Sequence, residues 1–339
     1  MSTPRRRALK VGVALLGGGL LGHKAVGSAS RPDQVTLKGG RFQMGSESAY
    51  ARPNERPMHW VQISPFSIDR THVTNRAFGH FVRETGYVTT AERAPKWEEL
   101  APQLPPGTPR PPVSALVAGG MVYVGQERPR IEQEYLKSWA FVPGANWRKP
   151  MGPQSGLNGL EDHPVVQVSY IDALAFAQWC GRALPTEAQF EFAARGGLTQ
   201  KNFAWGDRFR EGGQDMAQTW ENDRVGGRTV RVGSFPSNGF GLFDMTGNVW
   251  QWCSDWYRSD AFVRQAKVGG VVQDPQGPSS SYTEEEEWGG APRQAPKRVV
   301  RGGSFLCHRD YCMGYRPSAR RGMDPFSSMS HVGFRTVSK

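Results

Sequence analysis

Apolar residues in this chain never fall into a long run with helical spacing, and that absence excludes more folds than any motif it carries. Glycine and proline break nearly every stretch, 41 and 25 of them in 339 residues, so elements must be short and joined by turns. Eleven tryptophans and seventeen phenylalanines stand where a bundle would carry leucine. The expected product is an irregular, loop-rich α+β chain with little regular secondary structure and aromatic side chains filling its core. The length could hold two domains, but nothing divides it, and one domain from about Gln34 to the C-terminus is expected.

Three helices are legible. Asn75 to Thr85 puts Phe78, Phe81 and Val82 on one face and stops at Gly86, a C-cap residue. Ser169 to Trp179 opens on a serine N-cap with Asp172 three residues on and stops at Gly181. Thr186 to Arg195 opens after Pro185 and ends at Gly196 and Gly197. Short alternating runs predict strands at Phe42–Met44, Trp60–Ile63, Val165–Val168, Val299–Arg301 and Gly333–Val337. Two segments, about 98–135 and 271–296, read as surface insertions. The first holds a proline-rich stretch from Leu100 to Pro112, expected to be extended, and the second holds the acidic run Glu284 to Glu287, expected as a solvated face.

Residues 1–30 read as a leader. Arg5, Arg6 and Arg7 precede a weak apolar run, Val11 to Leu21, and small residues follow up to Ser30. That order predicts a twin-arginine export signal, a periplasmic or otherwise exported product, and no stable membrane anchor after cleavage. Five basic residues and no acid lie in it, so part of the +11 net charge is targeting. The remaining basic residues are interleaved with acids, which argues against nucleic-acid binding. Nothing suggests a coiled coil or an obligate interface, so a monomer is expected.

Four cysteines are present, and two of them, Cys307 and Cys312, lie five residues apart in Arg301-Gly-Gly-Ser-Phe-Leu-Cys-His-Arg-Asp-Tyr-Cys312. Two thiols so placed can form a disulfide, hold a soft metal, or act as a redox or nucleophilic pair. An oxidising compartment permits the pairings Cys180–Cys253 and Cys307–Cys312. Closing so short a loop would stabilise the fold less than a long-range bridge. Cys180 and Cys253, beside Trp179 and Trp252, also fit as buried small apolar residues.

Landmarks along the chain together resemble the formylglycine-generating enzyme (sulfatase-modifying factor) family. They include Gly39-Gly-Arg-Phe-Gln-Met-Gly45, Thr71-His-Val-Thr-Asn75, Asp162-His-Pro-Val-Val166, Leu184-Pro-Thr-Glu187, Gly247-Asn-Val-Trp250, Arg301-Gly-Gly-Ser304 and Val332-Gly-Phe-Arg335. Most mark the fold alone; the segment with Ser304, Cys307, His308 and Cys312 separates catalytic members from other relatives. The resemblance implies an α+β fold related to C-type lectins over residues 31–339. It also implies copper-dependent, O2-using conversion of a cysteine in a sulfatase, within a Cys-x-Pro-x-Arg motif, to Cα-formylglycine.

The residue chemistry agrees. Two thiolates with no hard ligand beside them select Cu(I) over calcium, magnesium or manganese, and zinc would want four ligands. The resemblance places Ser304 and His308 near the reacting sulfur. It also implies a calcium loop at Phe243–Gln251, with ligands from the Asp244 side chain, the Gly247 and Val249 carbonyls and the Gln251 side chain. The family carries Asn and Glu where this chain has Asp244 and Gln251. A second calcium loop after Ala217-Gln-Thr-Trp220 is not expected, because the segment up to Ser234 is short. Competing readings are a tailoring oxidase of a small exported metabolite on the same fold, and a non-catalytic binding module.

Overall fold

The computed structural model describes residues 32–104, 107–125, 129–221, 228–281 and 295–339. The leader, the run Glu284–Glu287 and part of the segment after Trp220 lie outside those residues. No helix among the described residues is long and apolar enough to cross a membrane.

The chain opens with β1 (Gln34–Leu37), β2 (Gly40–Met44), β3 (His59–Ile63) and β4 (Phe66–Asp69), followed by α1 (Asn75–Thr85) and the single turn α2 (Trp97–Leu100). The hairpin β5 (Gly119–Tyr123) and β6 (Trp139–Pro143) flanks α3 (Glu132–Lys137). Then come α4 (Tyr170–Trp179), α5 (Glu187–Arg195) and a two-residue hairpin of β7 (Arg210–Glu211) and β8 (Gln214–Asp215). The C-terminal part holds β9 (Trp250–Trp256), α6 (Ala261–Val268), β10 (Val271–Gln273), β11 (Arg298–Arg301), β12 (Arg320–Met323), β13 (Val332–Gly333) and β14 (Val337–Ser338).

The sheets are small. β4 lies between β1 and β14, β3 between β10 and β2, and the sheet that carries the site has the order β12-β11-β9-β13. Local signals fix the helices where the sequence puts them. Thr74 caps α1, and Gly86 ends it in the left-handed region. Ser169 with Asp172, and Thr186 with Gln189, close capping boxes on α4 and α5. Phe78, Phe81 and Phe176 interlock with Trp147 and Phe334 in the core under β9.

Several expectations change. Val165–Val168 forms no strand: Gln167 has φ of 58°, which breaks the extended run, and its amide donates to the carbonyls of Pro150 and Met121. Gly333–Val337 divides between two sheets, β13 pairing with β9 and β14 with β4. The proline-rich stretch is not simply extended, because its start coils into α2 and a 3-10 turn at Ala101–Gln103. Beyond it, the supposed insertion at 98–135 sends Tyr123 and Tyr135 into the core. The segment from 271 contributes β10, which adds to β3 in parallel.

A layer of buried ion pairs fastens α5 to the site sheet. Arg301 on β11 donates to Glu187 at 2.7 Å and to Glu191 at 2.6 Å, while Arg320 on β12 grips both oxygens of Glu187 at 2.6 and 2.7 Å. Arg316 likewise grips both oxygens of Glu55 at 2.6 Å. Charges this deep are tolerated because each is paired and hydrogen-bonded. They hold both ends of the 302–316 segment.

Candidate metal centre

β11 ends at Arg301, and two glycines in the left-handed region, Gly302 (φ 90°) and Gly303 (φ 73°), turn the chain back under the sheet. The turn at Phe243–Gln251 supports the segment from below: Gly247 N–H donates to Gly302 O at 2.8 Å, and Phe305 N–H to Asn248 O at 2.8 Å. Farther along, the N–H groups of Tyr311, Cys312 and Met313 all converge on the carbonyl of His308. The loop folds back on itself and brings its thiols together.

Cys307 Sγ and Cys312 Sγ are 2.7 Å apart, and both cysteines are free. Both cysteines are buried, Cys307 at 1 % exposure and Cys312 at 9 %. Ser304 N–H points at Cys307 Sγ from 3.4 Å, and Trp220 N–H holds the Cys307 carbonyl at 3.0 Å. The hydrogen bond from Cys307 lowers the Cys312 thiol to about 6 against the effect of burial, assisted by the charges of Arg321 and Arg52. Burial and the same hydrogen bond push Cys307 well up.

The other expected site residues differ in what they do. Ser304 is fully buried, and its hydroxyl accepts from Leu306 N–H at 3.2 Å, capping the turn that presents Cys307. His308 is buried rather than solvated; its Nδ1 accepts from Asp310 N–H at 3.2 Å. Cys180 and Cys253 sit in separate parts of the core as buried thiols, with no bridge between them.

Several neighbours gave no signal in the sequence. Arg52 donates to Tyr311 O at 2.7 Å from 259 residues away. Trp250 walls the pair: a Cβ on Gly314 would lie 2.5 Å from its ring and 2.9 Å from Cys307 Sγ. Tyr135 stacks on Tyr311 with ring centroids 5.4 Å apart.

Among the described residues no three His, Cys, Asp or Glu side chains gather as a metal cluster. Two sulfurs without an oxygen or imidazole partner fit a soft ion of low coordination number and do not fit a hard divalent cation.

The loop at Phe243–Gln251 does not fit calcium. Gln251 has a single side-chain oxygen, and Arg335 Nε donates to it at 2.6 Å. Its other end is an amide nitrogen, 3.2 Å from Asp244 O and 3.4 Å from Met245 O. Arg335 also donates to the carbonyls of Phe243 and Asp244. The Asp244 carboxylate accepts from Gly233 N–H at 2.7 Å, and burial raises it to about 6. A fixed guanidinium and an N–H group thus occupy the two expected side-chain ligands, Gln251 and Asp244, and hydrogen bonds close the turn.

Comparison with known proteins agrees with the landmarks. The family model for the sulfatase-modifying factor enzyme 1-like domain matches residues 22–339. A formylglycine-generating enzyme of Mycobacterium tuberculosis is 41% identical over 311 residues, which are 89% of this chain and 96% of that protein. One from Thermomonospora curvata is 40% identical over 312 residues, 89% of this chain and 91% of its own. Among solved structures, PvdO from Pseudomonas aeruginosa superposes with a TM-score of 0.58 at 25% identity, covering 91% of this chain and 95% of that one.

Proposed function

Because this chain belongs to the sulfatase-modifying factor enzyme 1-like family, we propose that it matures a sulfatase by converting one cysteine to Cα-formylglycine, with copper and O2. The supporting observation is the convergence of two free thiols, 2.7 Å apart, in a buried loop.

Cys307 and Cys312 are the residues that would hold Cu(I), and the metal would supply one-electron chemistry with O2. Everything else falls to the chain. Ser304 presents its N–H to Cys307 Sγ and, through its capped turn, fixes that sulfur's position. The His308 carbonyl gathers three N–H groups and sets Cys312 beside it. Trp250 and the Tyr311–Tyr135 stack wall the pair and exclude water. A substrate thiol would approach from the side of Cys312, the less buried residue of the pair. In the net reaction the substrate CH2–SH becomes CHO, and its sulfur leaves as sulfide. The substrate gives up two electrons, and a thiol reductant provides the other two that full reduction of O2 to water requires.

The experiment is incubation of copper-loaded protein with a Cys-x-Pro-x-Arg peptide and oxygen, followed by mass spectrometry. The expected product is the aldehyde, absent with Cys307→Ser and Cys312→Ser. Copper binding without any change in the peptide would overturn the reading. The arginine triplet and apolar run of the leader support export as the setting.

A further inference from the structure

A tight turn, like the start of a helix, leaves its first N–H groups without carbonyls of its own to meet. In the cysteine loop the carbonyl of His308 takes the N–H groups of Tyr311, Cys312 and Met313. The N–H of Asp310 is met by His308 Nδ1 at 3.2 Å. That of Arg309 finds its acceptor 88 residues earlier in the chain, at Glu221 Oε1, 2.9 Å away.

The same carboxylate holds the loop elsewhere too. Its Oε1 also accepts from the Tyr315 hydroxyl, beyond Cys312. Its Oε2 takes the Arg309 guanidinium, through Nε at 2.7 Å and through Nη2. Trp220, just before it, donates its N–H to Cys307 O at 3.0 Å. Trp220 and Glu221 thus grip the loop at its first thiol, between the thiols and after the second. The last of these holds is firm, because the Tyr315 ring packs against Phe203 and Phe209 with centroids 6.0 and 5.4 Å away.

The two oxygens of Glu221 are not equivalent. The Glu221 side chain is 3 % exposed, but that of Arg309 is 60 % exposed, and an ion pair whose cation stands in water contributes little. Tyr315 is buried, so loss of Oε1 would take from its hydroxyl and from the Arg309 N–H the acceptor they share. Buried bonds left unmade are the costly ones.

We propose that Glu221 is a positioning residue for the thiol pair, whose Oε1 ties the Arg309 N–H to the Tyr315 hydroxyl and so fixes the span between Cys307 and Cys312. Glu221 acts on the sulfurs through the loop that carries them. Groups that orient metal ligands from behind change metal affinity by about 10–100-fold when removed. The inference rests on the proposed reaction for its metal, Cu(I), but the sulfur positions can be read without copper.

The test uses the full chain and two probes: Cu(I), in competition with a chelating dye, and a trivalent phenylarsenical that must bridge both sulfurs. Each is measured well below the thermal midpoint of every variant, and the midpoints are recorded separately. Glu221→Ala is expected to weaken both probes about tenfold or more. Glu221→Gln keeps one side-chain oxygen for the Arg309 N–H and the Tyr315 hydroxyl, and is expected to stay within about threefold of the parent, as is Arg309→Gln. Should Glu221→Ala fail to fold, Glu221→Asp, which withdraws the carboxylate by one methylene, is expected to show the same weakening. A lowered midpoint with parental binding of both probes would reduce Glu221 to a structural role and overturn the proposal. Equal weakening by Gln and Ala would overturn the role of Oε1. A parent that captures the arsenical but not Cu(I) would count against the proposed copper reaction alone, and the arsenical series would still decide the role of Glu221.

Discussion

Gly303 and Gly314 meet at the neck of the cysteine loop, so close that a methyl group on Gly303 would lie 2.5 Å from the carbonyl carbon of Gly314. Neither residue has room for a side chain, and Gly303 has a backbone that other residues rarely adopt. Gly303→Ala and Gly314→Ala are each expected to lower stability by about 1–3 kcal/mol, the usual cost of overpacking. They should also spread the thiols. A trivalent phenylarsenical, which grips two sulfurs at once, measures this directly: tight capture by the parent and weak capture by the variants is the expected outcome. Capture at parental strength would show that the neck does not set the sulfur positions.

The two thiols act as one unit, since each shapes the environment of the other. Cys307→Ser, Cys312→Ser and the double variant are therefore expected to be equally inactive, because losses within a unit do not add. Initial rates of aldehyde formation measure it. A single variant that keeps a tenth or more of the parental rate would assign the chemistry elsewhere.

Calcium should leave this protein indifferent. Thermal unfolding in calcium and in a calcium chelator is expected to give the same midpoint, since Arg335 occupies the one oxygen of Gln251. Gln251→Glu restores a second oxygen while keeping the bond to Arg335. That variant is expected to gain about 2.7 kcal/mol at calcium a hundredfold above its Kd. A calcium-dependent midpoint in the parent would refute the assignment.

Asp255 should make stability fall as the solution becomes less acidic. Burial first, and then the charge of Glu187, raise its carboxyl from 3.8 to about 7. The folded protein thus holds that proton more tightly than the unfolded chain does. The stability it contributes is complete below the unfolded value near 3.8 and is lost as pH climbs to about 7. Asp255 accepts from Glu187 N–H at 2.8 Å, which an asparagine oxygen can also do. Asp255→Asn should flatten the urea midpoint across this window, and unchanged slopes would remove Asp255 as the cause.

What the sequence revealed was whatever depends on near neighbours. Thr74, Ser169 and Thr186 stop their helices from beginning elsewhere, and Gly86 and Gly196 stop them from continuing; each signal acts within four residues. The meeting of Cys307 and Cys312 is likewise short-range. The strand expected at Val165–Val168 failed because the amide of Gln167 is drawn to Pro150 and Met121, which no local pattern encodes. The calcium ligands were read position by position, and the reading broke on Arg335, 84 residues beyond Gln251. Arg52 and Arg321 escaped notice for the same reason. Arginines are ordinary in a basic chain until the fold sets them beside a thiol.

The seating of β4 between β1 and β14 has a consequence for biosynthesis. Ile68 takes Val35 on one side and Val337 on the other, so a strand made early waits for one made much later. Emerging from the ribosome, the chain can cap its helices but cannot close this seam until Val337 has emerged. Closure of the first sheet is thereby deferred to the far end of the domain, and loss of Val337 and Ser338 would leave that sheet with an open margin.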